Sequence, residues 1–155
     1  MVKRSEKLAF IKVGTDGKFV RMSEFTELSV SANPKEYTRK YIDEDLERSA
    51  VVSYQPTISY KFDYNDESDV HKIFLNVSEN ELVGEDTLCT VAIVDLYREV
   101  EGGCEASARD FYIIPDTEGD DTDTYTFSGS LKAGGKKVFG TATSSDNWQT
   151  MTFTA

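Results

Sequence analysis

The sequence predicts a mostly β chain: an antiparallel β-sandwich or barrel with one flanking α-helix and one long polar loop suited to assembly. Three observations predict it. Apolar residues alternate with period two along several segments, which marks half-buried strands. Clusters of Gly, Asp, Asn and Thr punctuate those segments as turns. Only one stretch, after Asp66, carries helical periodicity. The length, 155 residues, fits a single domain over 1–155 that buries a sizeable core. Apolar residues at 39% and aromatics at 12% exclude global disorder.

Leu8 to Val13 reads as a first strand, and Gly14-Thr15-Asp16-Gly17-Lys18 as the turn that joins it in a hairpin to a second. That second strand is expected over Phe19 to Ser31, with Val20, Met22, Leu28 and Val30 on one face. Residues 32–50 are highly charged and lack a core-forming face, so they read as the long loop. Its basic half (Lys35, Arg39, Lys40) precedes an acidic half (Asp43, Glu44, Asp45, Glu47), and Tyr37, Tyr41, Ile42 and Leu46 lie among the charges. The sharper reading is a self-complementary arm with aromatic anchors and a polar rim; the plainer one is a solvated loop.

The cleanest alternation runs from Val52 to Tyr64. Val52, Tyr54, Pro56, Ile58, Tyr60, Phe62 and Tyr64 share one face; Ser53, Gln55, Thr57, Ser59, Lys61 and Asp63 share the other. Pro56 cannot donate a ladder hydrogen bond, so an edge, bulge or bend is expected there. Val70, Ile73, Phe74 and Val77 fit one helix face, with Asp66 or Ser68 as cap and Gly84 as the stop. Leu88 to Val100 is a strand whose centre is apolar on both faces and so should be covered on both. Ala108 to Ile114 should end at Pro115. Tyr125 to Leu131 should carry Tyr125, Phe127 and Leu131 on one side, and Ala133-Gly134-Gly135-Lys136 should turn it into Lys137 to Thr143. Thr150 to Thr154 is the last strand.

The net charge of −11 argues against ordinary nucleic-acid binding, which needs clustered Lys and Arg, and against an anionic membrane surface. No apolar run is long enough to span a bilayer, and the basic start lacks an apolar h-region, so a cytoplasmic origin is expected. Cys89 sits in an apolar run and Cys104 follows two glycines; reduced thiols are expected.

The search for chemistry returns little. His71, the one histidine, reads as a surface helix residue. No Cys or His partners stand at zinc spacing, and there is no P-loop, nucleophile elbow or dinucleotide fingerprint. Asp116 to Asp123 lacks the ordered ligand spacing of a calcium loop. No cofactor, metal or catalytic activity is expected. Trp148 and the eight tyrosines raise a sugar-binding module, but most tyrosines fall on the apolar face of strands, which favours core packing.

The order of these elements resembles the tail tube proteins, or major tail proteins, of tailed bacteriophages. The likeness is carried by Leu8 to Ser31, by the loop with Arg39-Lys40-Tyr41-Ile42-Asp43-Glu44, and by Val51-Val52-Ser53-Tyr54-Gln55-Pro56-Thr57-Ile58-Ser59-Tyr60-Lys61-Phe62-Asp63. It continues in Thr90 to Tyr97 and in Tyr125 to Gly135 followed by Val138-Phe139-Gly140-Thr141-Ala142. The resemblance implies a structural virion protein. Six copies form a ring, rings stack into a hollow tube, and strands of all subunits join one inner barrel. Tyr37, Arg39, Lys40, Tyr41, Ile42, Asp43, Glu44 and Leu46 are then the expected contacts between rings. Ser53, Gln55, Thr57, Ser59 and Asp63 are the expected lumen residues, in a lumen whose acidity lets DNA slide during ejection without sticking. The expected partners are the chain itself and other tail proteins such as sheath, tape measure, terminator or baseplate. No membrane is expected, and the expected place is the virion tail, assembled in the bacterial cytoplasm. Another tail component, such as a terminator or baseplate hub, and a monomeric β-sandwich ligand-binding module are the alternatives.

Overall fold

A computed structural model describes residues 1–14 and 17–155. Its strands are β1 (Lys7–Val13), β2 (Lys18–Arg21), β3 (Phe25–Ser31), β4 (Pro34–Arg39), β5 (Arg48–Tyr54), β6 (Thr57–Asp63), β7 (Leu88–Val100), β8 (Gly103–Glu118), β9 (Thr126–Ala133), β10 (Val138–Thr143) and β11 (Thr150–Thr154). One helix, α1 (Asp69–Glu79), lies between β6 and β7. The fold is thus mostly β with one helix. β1 and β2 pair antiparallel as a hairpin, although residues 15 and 16 of its expected turn lie outside the described residues.

Nine strands form one sheet in the order β10-β11-β2-β1-β7-β8-β9-β6-β3, and β10 also pairs with β8. That extra pairing closes β10, β11, β2, β1, β7 and β8 into an antiparallel six-stranded barrel. β9, β6 and β3 continue from the far half of β8. β8 makes both possible because it is sixteen residues long. β9 pairs with it from Phe111 to Glu118, and β10 pairs with it from Cys104 to Ala108. The expected β9–β10 hairpin is therefore absent. Residues 134–137 instead step the chain along one edge of β8, with the Gly134 amide donating to Asp110 O at 2.8 Å. Nor does β8 end at Pro115: the proline sits at a register shift, where a ladder donor is not needed.

The barrel interior holds Leu8, Phe10, Phe19, Ala92, Val94, Cys104, Ala106, Ala108, Ala142 and Met151. A second core lies outside the barrel wall, between β1, β7 and β8 and the extension with its helix. It contains Ile11, Ile58, Tyr60, Phe62, Val70, Phe74, Val77, Val91, Phe111, Ile113, Phe127 and Leu131. β7 divides the two, sending Ala92 and Val94 one way and Val91 the other. Its centre is apolar on both faces for that reason. Cys89 and Cys104 are free thiols that belong to opposite cores. Burial pushes the Cys89 thiol up to about 12.

The expected strand over Phe19 to Ser31 is two strands. Glu24 adopts φ 65°, and the kink at residues 22–24 sends β2 into the barrel and β3 to the opposite end of the sheet. α1 starts as expected, with Ser68 Oγ accepting the His71 amide, and buries Val70, Phe74 and Val77. It stops at Glu79, well before Gly84, which opens a short 3-10 turn instead. His71 is not a surface residue: it is fully buried. Its Nδ1 accepts the Asn65 amide at 3.0 Å, and Nε2 lies 2.9 Å from Ser23 O, so Nε2 carries the proton. The ring stacks on Phe62 at 4.3 Å and fastens the Met22–Glu24 kink to the helix. Burial lowers its pKa.

Two glycines in the segments quoted above are held by close packing. A Cβ on Gly129 would lie 2.4 Å from Ile114 O, and one on Gly140 would lie 2.2 Å from Thr154 O. Only glycine admits those neighbouring backbones.

Candidate assembly surfaces

Two surfaces hold the residues singled out from the sequence. The first is an arm. Residues 32–50 are not a loop: β4 and β5 form a two-stranded antiparallel hairpin that pairs with no other strand among the described residues. β4 and the first half of β5 carry no clean alternation, and only the end of β5, from Val52, lay inside an expected strand. Every residue of both strands is exposed. Asn33 and Gln55 clasp the base, through the Gln55 amide to Asn33 O at 3.4 Å and Asn33 Nδ2 to Thr57 Oγ1 at 2.9 Å.

An isolated hairpin of this kind is marginal in water, and side chains order its far end. Arg39 lies over the Tyr37 ring at 5.0 Å and Arg48 over the Tyr41 ring at 5.3 Å. Arg48 Nε donates to Glu44 at 2.8 Å, and a second guanidinium nitrogen grips the same carboxylate. A hydrogen bond with Tyr41 holds the Tyr37 phenol above its ordinary pKa. Of the expected ring-contact residues, Tyr37, Arg39, Lys40, Tyr41, Ile42, Asp43, Glu44 and Leu46 all fall on β4 or the connection to β5. Ile42 is 107% exposed and Leu46 79%. Val52 and Tyr54, expected on the apolar face of a long strand, are also on this arm and exposed, as is Val51. Pro56 was the signal, since the strand breaks at Gln55-Pro56.

The second surface is the outer face of β3, β6 and β9. β6 alternates as expected, with Ile58, Tyr60 and Phe62 buried and Thr57, Ser59, Lys61 and Asp63 outward. Ser29, Ser59 and Ser130 lie side by side across three strands, as do Ser31, Thr57 and Lys132. Thr57, Ser59 and Asp63 thus share one hydroxyl-rich face. Ser53 and Gln55 do not join them, because they belong to the arm and its base. Ser29, Ser128 and Ser130 belong to this face and went unnoticed, though they alternate in sequence with Leu28, Val30, Phe127 and Leu131.

Carboxylates border one end of it. Asp63 accepts from Thr124 Oγ1 at 2.8 Å, and Asp120 accepts from Thr126 and pairs with Lys61 at 3.4 Å. The Thr126 hydroxyl holds the Asp120 carboxyl below its usual range. Among the described residues, no three His, Cys, Asp or Glu side chains cluster as a metal site, and no helix is long and apolar enough to cross a membrane. The tyrosines are mostly not core residues: only Tyr60 is buried, while Tyr37, Tyr41, Tyr54, Tyr97 and Tyr125 are exposed.

No family model matches the sequence, and no curated protein matches it.

Proposed function

We propose that this chain is a structural protomer that assembles with copies of itself into a phage-type tail tube: six-subunit rings stacked around an acidic, hydroxyl-rich lumen through which DNA passes. One observation carries the reading. The β4–β5 arm stands off the body with Tyr37, Tyr41, Ile42, Leu46, Val51, Val52 and Tyr54 all exposed. A free-standing hairpin with that apolar content is stabilised by a partner rather than by its own domain. The outer face of β3, β6 and β9 supports the lumen assignment. It offers serine and threonine, with Lys61 and Lys132, and no large apolar side chain; Asp63 at its border would repel phosphate, while Asp120 is paired to Lys61. Among the described residues β3 ends the sheet with an unpaired edge, which a neighbouring subunit would complete, removing an aggregation liability. Head-to-tail contacts that do not close along an axis produce a filament. The role is structural, with no catalytic step.

Sedimentation and negative-stain microscopy of the purified chain test this. Stacked rings or tubes are expected. A monomer that persists at high concentration in assembly conditions sinks the reading. Single closed rings that never stack would favour a terminator or hub instead.

A further inference from the structure

An apolar cavity of about 190 Å³ opens between β3 and the outer wall of the barrel. Met22, Leu28, Val30, Ile58, Val91 and Ile93 line it. It exceeds the roughly 150 Å³ of an apolar cavity that takes up benzene, so it has room for a branched aliphatic side chain. Val30, at its mouth, is 57% exposed.

Arg4 and Lys7 stand at the rim. Lys7 pairs with Asp95 at 3.4 Å. Arg4 differs: its guanidinium donates to two backbone carbonyls, Lys7 O at 2.6 Å and Leu28 O at 3.2 Å. Those bonds fix the group in place without neutralising it, and no carboxylate pairs with it among the described residues. In a chain of net charge −11, this is a held, uncompensated cation beside an apolar hole.

The tip of the arm is its chemical complement. Ile42 and Leu46 are bare, and Asp43, Asp45 and Glu47 surround them with no cation paired to them among the described residues; Glu44 alone is committed, to Arg48. The arm cannot place this tip in its own cavity. β3 leads directly into β4, so the cavity lies near the base of the arm. The six residues from Pro34 to Arg39 carry the tip about 17 Å away along the strand direction.

We infer that the arm tip of one copy inserts Ile42 or Leu46 into the β3–barrel cavity of a second copy, with its carboxylates against Arg4. This rests on the self-assembly reading and names the socket that reading leaves open.

Mixing two variants, each with one added cysteine, tests it, because each chain then carries one half of the contact. The native thiols do not interfere, since Cys104 is buried and burial holds the Cys89 thiol at about 12. Ile42→Cys mixed with Val30→Cys should form a disulfide between chains under mild oxidation. Ile42→Cys mixed with Lys136→Cys should not; Lys136 lines a separate groove with Lys12 and Arg109. Ile42→Asp with Leu46→Asp should raise the concentration needed for assembly about tenfold or more. Cross-linking to residue 136 instead of 30, or tubes assembled from the Ile42→Cys and Val30→Cys mixture without any 42–30 cross-link, would overturn the socket and leave self-assembly standing. A chain carrying both Ile42→Cys and Val30→Cys that cross-links only within itself would also overturn it. A wild-type chain that stays monomeric removes the assembly reading and the socket with it.

Discussion

β5 and β6 lie on either side of Pro56 and read in sequence as one alternating strand, yet they have opposite fates. β6 buries Tyr60 and Phe62 against α1 and Ile58 beside them, while β5 buries nothing. β6 carries Ile58, Tyr60 and Phe62 at every second position, and the end of β5 carries Val52 and Tyr54 in the same alternation. The difference is what stands opposite. α1 and β9 face β6, with Phe62 stacked on Phe127 at 5.5 Å and on His71. Only β4 accompanies β5. Alternation therefore states that a strand has an apolar face, and it leaves open whether this chain or another covers it.

Substitutions on the two strands break or sharpen that contrast. The largest effect on folding is expected at Phe62, where Phe62→Ala should cost about 3–5 kcal/mol in urea unfolding. The matching change Val52→Ala should leave the isolated subunit within about 0.5 kcal/mol of wild type. Equal losses at both would mean the arm packs on its own body.

His71→Phe keeps the stacked ring but strands the Asn65 amide and Ser23 carbonyl, at a cost of about 1–3 kcal/mol. It should also remove a pH slope. The folded pKa of His71 lies below its ordinary 6.5, so the unfolded chain takes the proton first. Stability is full above about pH 6.5 and falls as pH drops below it. Thermal melts from pH 8 to 5 should show this slope in wild type and not in the variant.

Asp146 gives a smaller effect in a different window. It accepts the Thr150 hydroxyl at 2.5 Å and the Thr150 amide at 3.0 Å in a turn where Asn147 and Trp148 both have positive φ. These bonds hold its carboxyl at about 2 rather than 3.8. Its stabilisation is present above about pH 3.8 and lost as pH falls toward about 2. Asp146→Asn should flatten melting temperature against pH in that range only.

The smallest effect on folding belongs to the arm. Replacing residues 34–54 with a short Gly-Ser turn between Asn33 and Gln55 should leave the melting temperature of the subunit nearly unchanged. It should also abolish higher assemblies in sedimentation. Loss of folding would contradict the contrast, and normal tubes would sink the arm's role.

Much of the body was legible. The β1–β2 hairpin, the helix face of Val70, Phe74 and Val77, the two-sided strand β7 and the last strand follow from local periodicity and capping, which act over a few residues. His71 was misjudged because its burial depends on a kink 48 residues earlier. The β9–β10 connection was misjudged because Gly134-Gly135 suits a hairpin turn and equally suits a step along β8. β4 and the first half of β5 were found as a region but not as strands, since their residues face water on both sides.

The sequence by itself determined that the chain is β-rich, acidic and built around one helix, because side-chain alternation, caps and charge are local properties. Tertiary structure decided which strands close the barrel and which extend it. It also decided that Val52 and Tyr54 are bare while Tyr60 and Phe62 are buried. Those outcomes depend on long-range pairing along β8 and on what stands opposite each face, and neither is written in the neighbourhood of any one residue.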